Sequence, residues 1–163
     1  MSYRKIIMAA LWLWVVLGLC ATGWSQQRFT DNGDGTISDR QLGLMWAKSD
    51  NQGDINWHEA GQWIRFTFPN TVPGNFDNWR MPTLDELRSL ATQASSYESD
   101  CGQKVSIIDL ITLSCGWVWS SDSDKISPTA WVFNFNHNYA FTVRKAQRRG
   151  YRALAVRDLK PKP

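Results

Sequence analysis

The sequence predicts an α+β domain of two short helices and short, mostly antiparallel strands. Three observations predict it. Two segments, opening at Asn56 and at Thr83, carry a helix-capping residue followed by apolar side chains at helical spacing. Residues 131–143 alternate apolar and polar with a period of two, around the turn Asn136-His137-Asn138. Gly, Asn and Asp clusters punctuate the rest at short intervals. A chain of 163 residues suits one domain with a real core and leaves little room for two.

The first 25 residues read as a leader rather than as part of that domain. Arg4 and Lys5 precede an uncharged apolar run, Ile6 to Leu19, that is short for a membrane span. Small residues at Ala21, Gly23 and Ser25 then satisfy a signal-peptide cleavage site after Gly23 or Ser25. Two alternatives stay open: an uncleaved anchor, and lipid attachment at Cys20, against which Leu19 stands where a small residue is wanted. Arg4 and Lys5 are the only charges in the leader, so the remainder carries 16 basic and 15 acidic side chains. A chain so close to neutrality gives no global argument for nucleic acid, and any basic effect must be local. The expected organisation is a signal peptide over 1–25, the domain over 26–158, and a disordered tail over 159–163.

In the domain, Arg28-Phe29-Thr30 and Thr36-Ile37-Ser38-Asp39 read as strands joined by the tight turn Asp31-Asn32-Gly33-Asp34-Gly35. Leu42 to Trp46 makes a third strand. Asn56 caps a helix whose apolar face is Trp57, Ala60, Trp63 and Ile64, and Pro69 and Pro73-Gly74-Asn75 close it. Thr83 with Glu86 three residues later is a capping box, and Leu84, Leu87 and Leu90 or Ala91 form the buried stripe behind it. Residues 93–106 read as a loop around Cys101, and Ile107 to Leu110 as an apolar run of undecided type. Trp117-Val118-Trp119 is a strand. Trp131, Phe133 and Phe135 alternate before the 136–138 turn, and Tyr139, Phe141 and Val143 after it. Tyr151 to Val156 is expected as one final strand.

Outside the leader only Cys101 and Cys115 remain, and in an oxidising compartment such a pair reads as a disulfide. The rival reading, a metal or redox pair, lacks both C-x-x-C spacing and a nearby His.

Several of these segments resemble a known family. They are Arg28 to Thr36, Leu42 to Trp46, Trp57-His58-Glu59-Ala60, Asn78-Trp79-Arg80-Met81-Pro82-Thr83 with Glu86-Leu87, Val118-Trp119-Ser120-Ser121, and Arg152 to Arg157. Their order and spacing are similar to the Lcl C-terminal domain family, also called DUF1566. The resemblance implies a C-type-lectin-like α+β fold, related to that of the formylglycine-generating enzymes, in exported bacterial proteins. The collagen-like adhesin for which the family is named uses this domain on sulfated glycosaminoglycans. Many relatives carry cysteines in the first helix and the final strand, where this chain has Trp63 and Ala155, and no collagen-like repeat precedes the domain.

Four candidate sites follow from the residues. Arg144, Lys145, Arg148, Arg149 and Arg152 place five positive charges within nine residues, suited to the oxyanions of a sulfated glycan or simply to a solvated loop. Trp117, Trp131 and Tyr139 are the aromatics expected to stay open to a sugar face. Trp46, Trp79 and Trp119, with Arg80, Thr83, Glu86, Ser120 and Ser121, are expected to build structure, Arg80 by pairing with Glu86 or Asp85. Asp31 to Gly35 lacks calcium-loop spacing, having Gly33 and Leu42 at ligand positions, and reads as a turn. No metal site or cofactor is predicted, although Asp122 and Asp124 leave calcium open. His58 and His137 belong to no catalytic motif.

The expectation is therefore an exported, non-enzymatic binding module, periplasmic, surface-attached or secreted, whose partner is an anionic polysaccharide or an envelope protein. No specific nucleic acid is expected, and membrane contact only through the export signal. An envelope-assembly subunit is the alternative, and an oxidase of the formylglycine-generating kind a third.

Overall fold

The computed structural model describes residues 27–74, 76–123 and 126–160. The leader with its cleavage sites and Cys20, and tail residues 161–163, lie outside the described residues. Two four-stranded sheets and one small hairpin surround a single core, an α+β arrangement. The first sheet has the order β1-β2-β3-β10, from β1 (Phe29–Asp31), β2 (Thr36–Asp39), β3 (Leu44–Ala47) and β10 (Val156–Asp158), all antiparallel. The β1–β2 turn forms as its residues dictate: Gly33 and Gly35 take positive φ, and Asp31 and Asp34 accept the N–H groups of Gly33 and Thr36.

Helix α1 (Trp57–Gln62) starts in a full capping box, with the Asn56 side chain accepting from Glu59 N–H and Glu59 accepting from Asn56 N–H. It does not stop at one face of an α-helix. It widens into a π-helical turn, Trp63–Thr67, and then a 3₁₀ turn, Phe68–Asn70, where Pro69 ends it. Ala60, Ile64 and Phe68 are buried along it, while Trp57 and Trp63 lie half-buried at its flanks. Helix α2 (Leu84–Arg88) has the predicted capping box of Thr83 and Glu86, and buries Leu87 and Leu90.

The second sheet has the order β8-β7-β6-β9, from β6 (Trp117–Trp119), β7 (Thr129–Asn134), β8 (Tyr139–Arg144) and β9 (Tyr151–Arg152). Two expectations are corrected here. Residues 93–106 are not simply loop: β4 (Tyr97–Glu98) pairs with β5 (Lys104–Val105), and the Cys101–Cys115 disulfide, with Cα atoms 5.3 Å apart, ties the turn between them to the chain just before β6. Nor is Tyr151 to Val156 one strand. β9 runs parallel to β6, and the fully buried Ala153-Leu154-Ala155 then carries the chain across to β10 beside β3 in the other sheet. Small side chains at 153 and 155 suit a chain crossing between packed layers. Leu159, expected in the tail, packs on the core and donates its N–H to the Gly43 carbonyl.

Trp46, Trp79 and Trp119 are core, as expected, at 0%, 4% and 0% exposure. The other motif residues converge on the start of α2. Ser121 N–H donates to the Pro82 carbonyl, and Asp122 Oδ2 accepts from Leu84 N–H and the Ser120 hydroxyl. Trp57 Nε1 donates to the Ser120 carbonyl, which ties α1 to the same point. Arg80 makes a bidentate pair with Glu86 at 2.8 and 2.7 Å and reaches Asp158 at 3.2 Å, while Asp85 pairs with Arg88 instead.

Candidate functional site

The basic segment is a loop between β8 and β9, and it is pinned at both ends. Lys145 donates its N–H to the Pro128 carbonyl and accepts from Trp57 N–H, which fixes the loop against the start of α1. At the other end Gly150 N–H donates to Asp54 Oδ1 at 2.9 Å. Gly150 has φ +84°, a conformation that favours glycine, and it lies in van der Waals reach of the Trp117 ring.

The five cations are not equivalent. Arg152 is withdrawn from the ligand surface: its side chain is 8% exposed. Its Nε donates to the Ser114 hydroxyl at 2.7 Å, its Nη1 to Asp54 Oδ1 at 2.8 Å, and buried Asp50 lies 3.9 Å away. A position inside β9, next to the parallel partner β6, turns that side chain inward. Arg148 is exposed but bridged to Glu59 at 2.8 Å. Lys145 places its ammonium 4.7 Å from the centre of the Trp57 ring, a cation–π contact. Arg144 and Arg149 are exposed.

Asp54 and Asp50 respond oppositely to these surroundings. The Gly150 N–H, then the Arg152 guanidinium, hold the Asp54 carboxyl below its ordinary range. Burial pushes the Asp50 carboxyl up, against the N–H groups of Gln52 and Ser114, the Ser114 hydroxyl and the charge of Arg152.

The three predicted aromatics do not form one surface. The β6–β7–β8 register puts Trp117, Asn134 and Tyr139 side by side on one face, and Trp131 with Thr142 on the other. On the first face Tyr139, Phe141, Trp117 and Tyr151 form a continuous row, with successive ring centres 5.7, 6.0 and 5.4 Å apart. Tyr139 is 49% exposed at the edge strand, whereas Trp117 is half-covered beneath Gly150. Trp131 is 39% exposed, and Arg144, two residues beyond Thr142 on β8, shares its face.

Two clefts flank the loop where it meets α1. One, of about 460 Å³, lies between Lys145-Ala146, Ser127-Pro128 and the helix start at Asn56, His58 and Glu59. The other, of about 500 Å³, lies beyond the Glu59–Arg148 bridge. Among the described residues no group of three or more His, Cys, Asp or Glu is placed to hold a metal ion. Asp122 Oδ2 is engaged at the start of α2, and Asp124 lies outside the described residues.

Most of the sequence segments that carry the fold lie within one family match, β1 and Arg28 to Asp34 standing just ahead of it. The model of the Lcl C-terminal domain covers residues 35–157, most of the chain, from the β1–β2 turn to β10. This chain belongs to the Lcl C-terminal domain family. No curated protein matches it. The Lcl domain match takes in the second sheet, both helices and the first sheet apart from β1 and the last residue of β10, and so includes the crossing segment 153–155 and the entire basic loop.

Sequence reasoning missed Asp50, Asp54 and Ser114, and held Glu59 only as part of the segment Trp57-His58-Glu59-Ala60. Asp50 and Ser114 meet across 64 residues of chain, Asp54 and Arg152 across 98. No local spacing signals such pairs. Glu59 alone had a signal, since Asn56 followed three residues later by Glu is itself a capping box.

Proposed function

We propose that this Lcl-family protein is an exported, non-catalytic binding module for an acidic polysaccharide, bound by the outer side of the β8–β9 loop. The observation that carries the proposal is the loop itself: Arg144, Arg148 and Arg149 are exposed on a segment pinned by Trp57, Pro128 and Asp54. Arginines on a pinned backbone cost less loop ordering on binding, and their planar donors match sulfate and carboxylate groups in pairs. Lys145 and Trp57 extend the surface towards the helix start. Arg152 takes no part, and Trp131, on the face of Arg144, is the aromatic best placed to accompany the arginines.

Binding of this kind weakens with salt, because exposed charges are screened. On immobilised heparin across a salt gradient, the protein freed of its leader should elute later than a control of equal net charge. Arg148→Ala with Arg149→Ala should remove that excess retention. Co-elution of the unaltered protein with the control would end this reading.

A second reading is an envelope-assembly subunit that meets another protein. The Tyr139–Phe141–Trp117 row on the open edge of the second sheet favours it. Envelope co-purification that Tyr139→Ser abolishes and the arginine variant leaves intact would select it.

A further inference from the structure

We infer that the cleft beside the π-helical turn is a subsite for an uncharged pyranose ring, adjoining the arginine surface at Arg148. The inference deepens the glycan-binding reading and rests on it for the class of ligand. The cleft, of about 500 Å³, is lined by Asp54, Glu59, Gln62, Trp63, Phe66 and Arg148, with Ile55 and Thr67 beside them.

Its apolar wall is unusual. Phe66 is 71% exposed, the most exposed Phe, Tyr or Trp among the described residues. A phenyl ring left in water gains only when something covers it. Trp63 stands on the same wall, half-buried and held by Phe68 at 5.4 Å between ring centres. Both arise from the wide turn in which Phe68 N–H donates to the Trp63 carbonyl. That turn keeps Ile64 and Phe68 in the core while Phe66 projects outward. Single π-helical turns in an α-helix occur frequently at functional sites.

The polar wall supplies what sugar hydroxyls need. Both Arg152 and Gly150 bond Asp54 through Oδ1, so Oδ2 has no hydrogen-bond partner among the described residues. Gln62 is exposed and adds an amide that both donates and accepts. Arg148, already oriented by Glu59, adds donors. Acceptors and donors side by side, facing an aromatic wall, suit a ring with hydroxyls at its rim and C–H groups on its face. The ligand charge also follows. Asp54 is matched by Arg152 and Glu59 by Arg148, so the cleft favours neither an anion nor a cation. Glu59 lines both clefts, which places the uncharged ring next to the arginine loop along one polymer.

The test is a titration of the purified exported protein with cellotetraose, chitotetraose and mannotetraose, following the Trp63 indole N–H by NMR. Salt of about 0.5 M screens the loop arginines, and sugar up to about 10 mM covers weak subsites. At least one sugar should shift the Trp63 signal saturably. Phe66→Ala should weaken that binding about tenfold or more, and its exposure leaves the fold intact. Arg144→Ala with Arg149→Ala should leave it unchanged. No saturable shift with any of the three sugars, or one that survives Phe66→Ala, overturns the inference. Heparin retention is read separately: if it persists while Trp63 is silent, the subsite alone fails, and if it is absent while Trp63 responds, the loop reading alone fails.

Discussion

Replacing Arg152 by methionine should unfold this domain more readily without weakening its hold on a polyanion. The Arg152 guanidinium is buried, and its bond to the buried Ser114 hydroxyl is 2.7 Å long. A hydrogen bond from a charged donor to a buried acceptor contributes about 1.5–3 kcal/mol. The Asp54 bridge adds less, about 0–1 kcal/mol, because Asp54 is half-exposed and screened. Asp50, buried 3.9 Å away, loses its nearest cation at the same time. Together the loss is about 3 kcal/mol, within the range for breaking one side of a buried ionic cluster. In urea unfolding followed by tryptophan emission, a slope of about 2 kcal/mol per molar turns that into a midpoint lowered by about 1.5 M. Adding Asp50→Asn should cost less than the sum of the two single changes, because the groups share one network. The folded variant should elute from heparin at the salt concentration of the unaltered protein. An unchanged urea midpoint with lost heparin binding would refute the reasoning and return Arg152 to the ligand surface.

Other outcomes follow from the same contacts. Glu59→Ala frees Arg148, so heparin elution should shift to higher salt, while the lost capping box lowers stability by about 1 kcal/mol in the same urea assay. Gly150→Ala forces a side chain into positive φ, and should lower stability by about 1–2 kcal/mol, with a change in the indole signal of Trp117, which the new methyl touches. Reducing the Cys101–Cys115 bond, or changing both to Ser, should cost about 3 kcal/mol, read as a lowered melting temperature. Folding lowers the Asp54 pKa, so its contribution is fully present above the ordinary value of 3.8 and is lost as pH falls through the lower folded value. The Gly150 amide signal should therefore titrate below pH 3.8, and a midpoint at or above that value would contradict the assignment.

Much of the fold was legible because it is written locally. Asn56 and Thr83 announced their helices through side chains that satisfy N–H groups within three residues. The 136–138 turn and its flanking alternation announced β7 and β8, which pair with Asn134 opposite Tyr139. What failed depended on distant partners. The apolar run 151–156 looks like one strand, but β6 and β3 claim its two ends in different sheets. The β4–β5 hairpin was invisible because two-residue strands have no period to read. The site divides the same way. Five basic residues in nine are plain in the sequence, but that Arg152 points inward follows from Asp50 and Ser114, remote in the chain. Trp63 was read only as part of the helix's apolar face and Phe66 was not singled out, because the π-helical turn shifts the register that helical spacing assumes.

The most direct test of the central claim is an NMR titration of the arginine side-chain Nε–H signals with a heparin tetrasaccharide at low salt. The signals of Arg144, Arg148 and Arg149 should shift together and saturably, while that of buried Arg152 stays in place. Shifts centred on arginines elsewhere, such as Arg65 or Arg88, or no saturable shift at all, would contradict it.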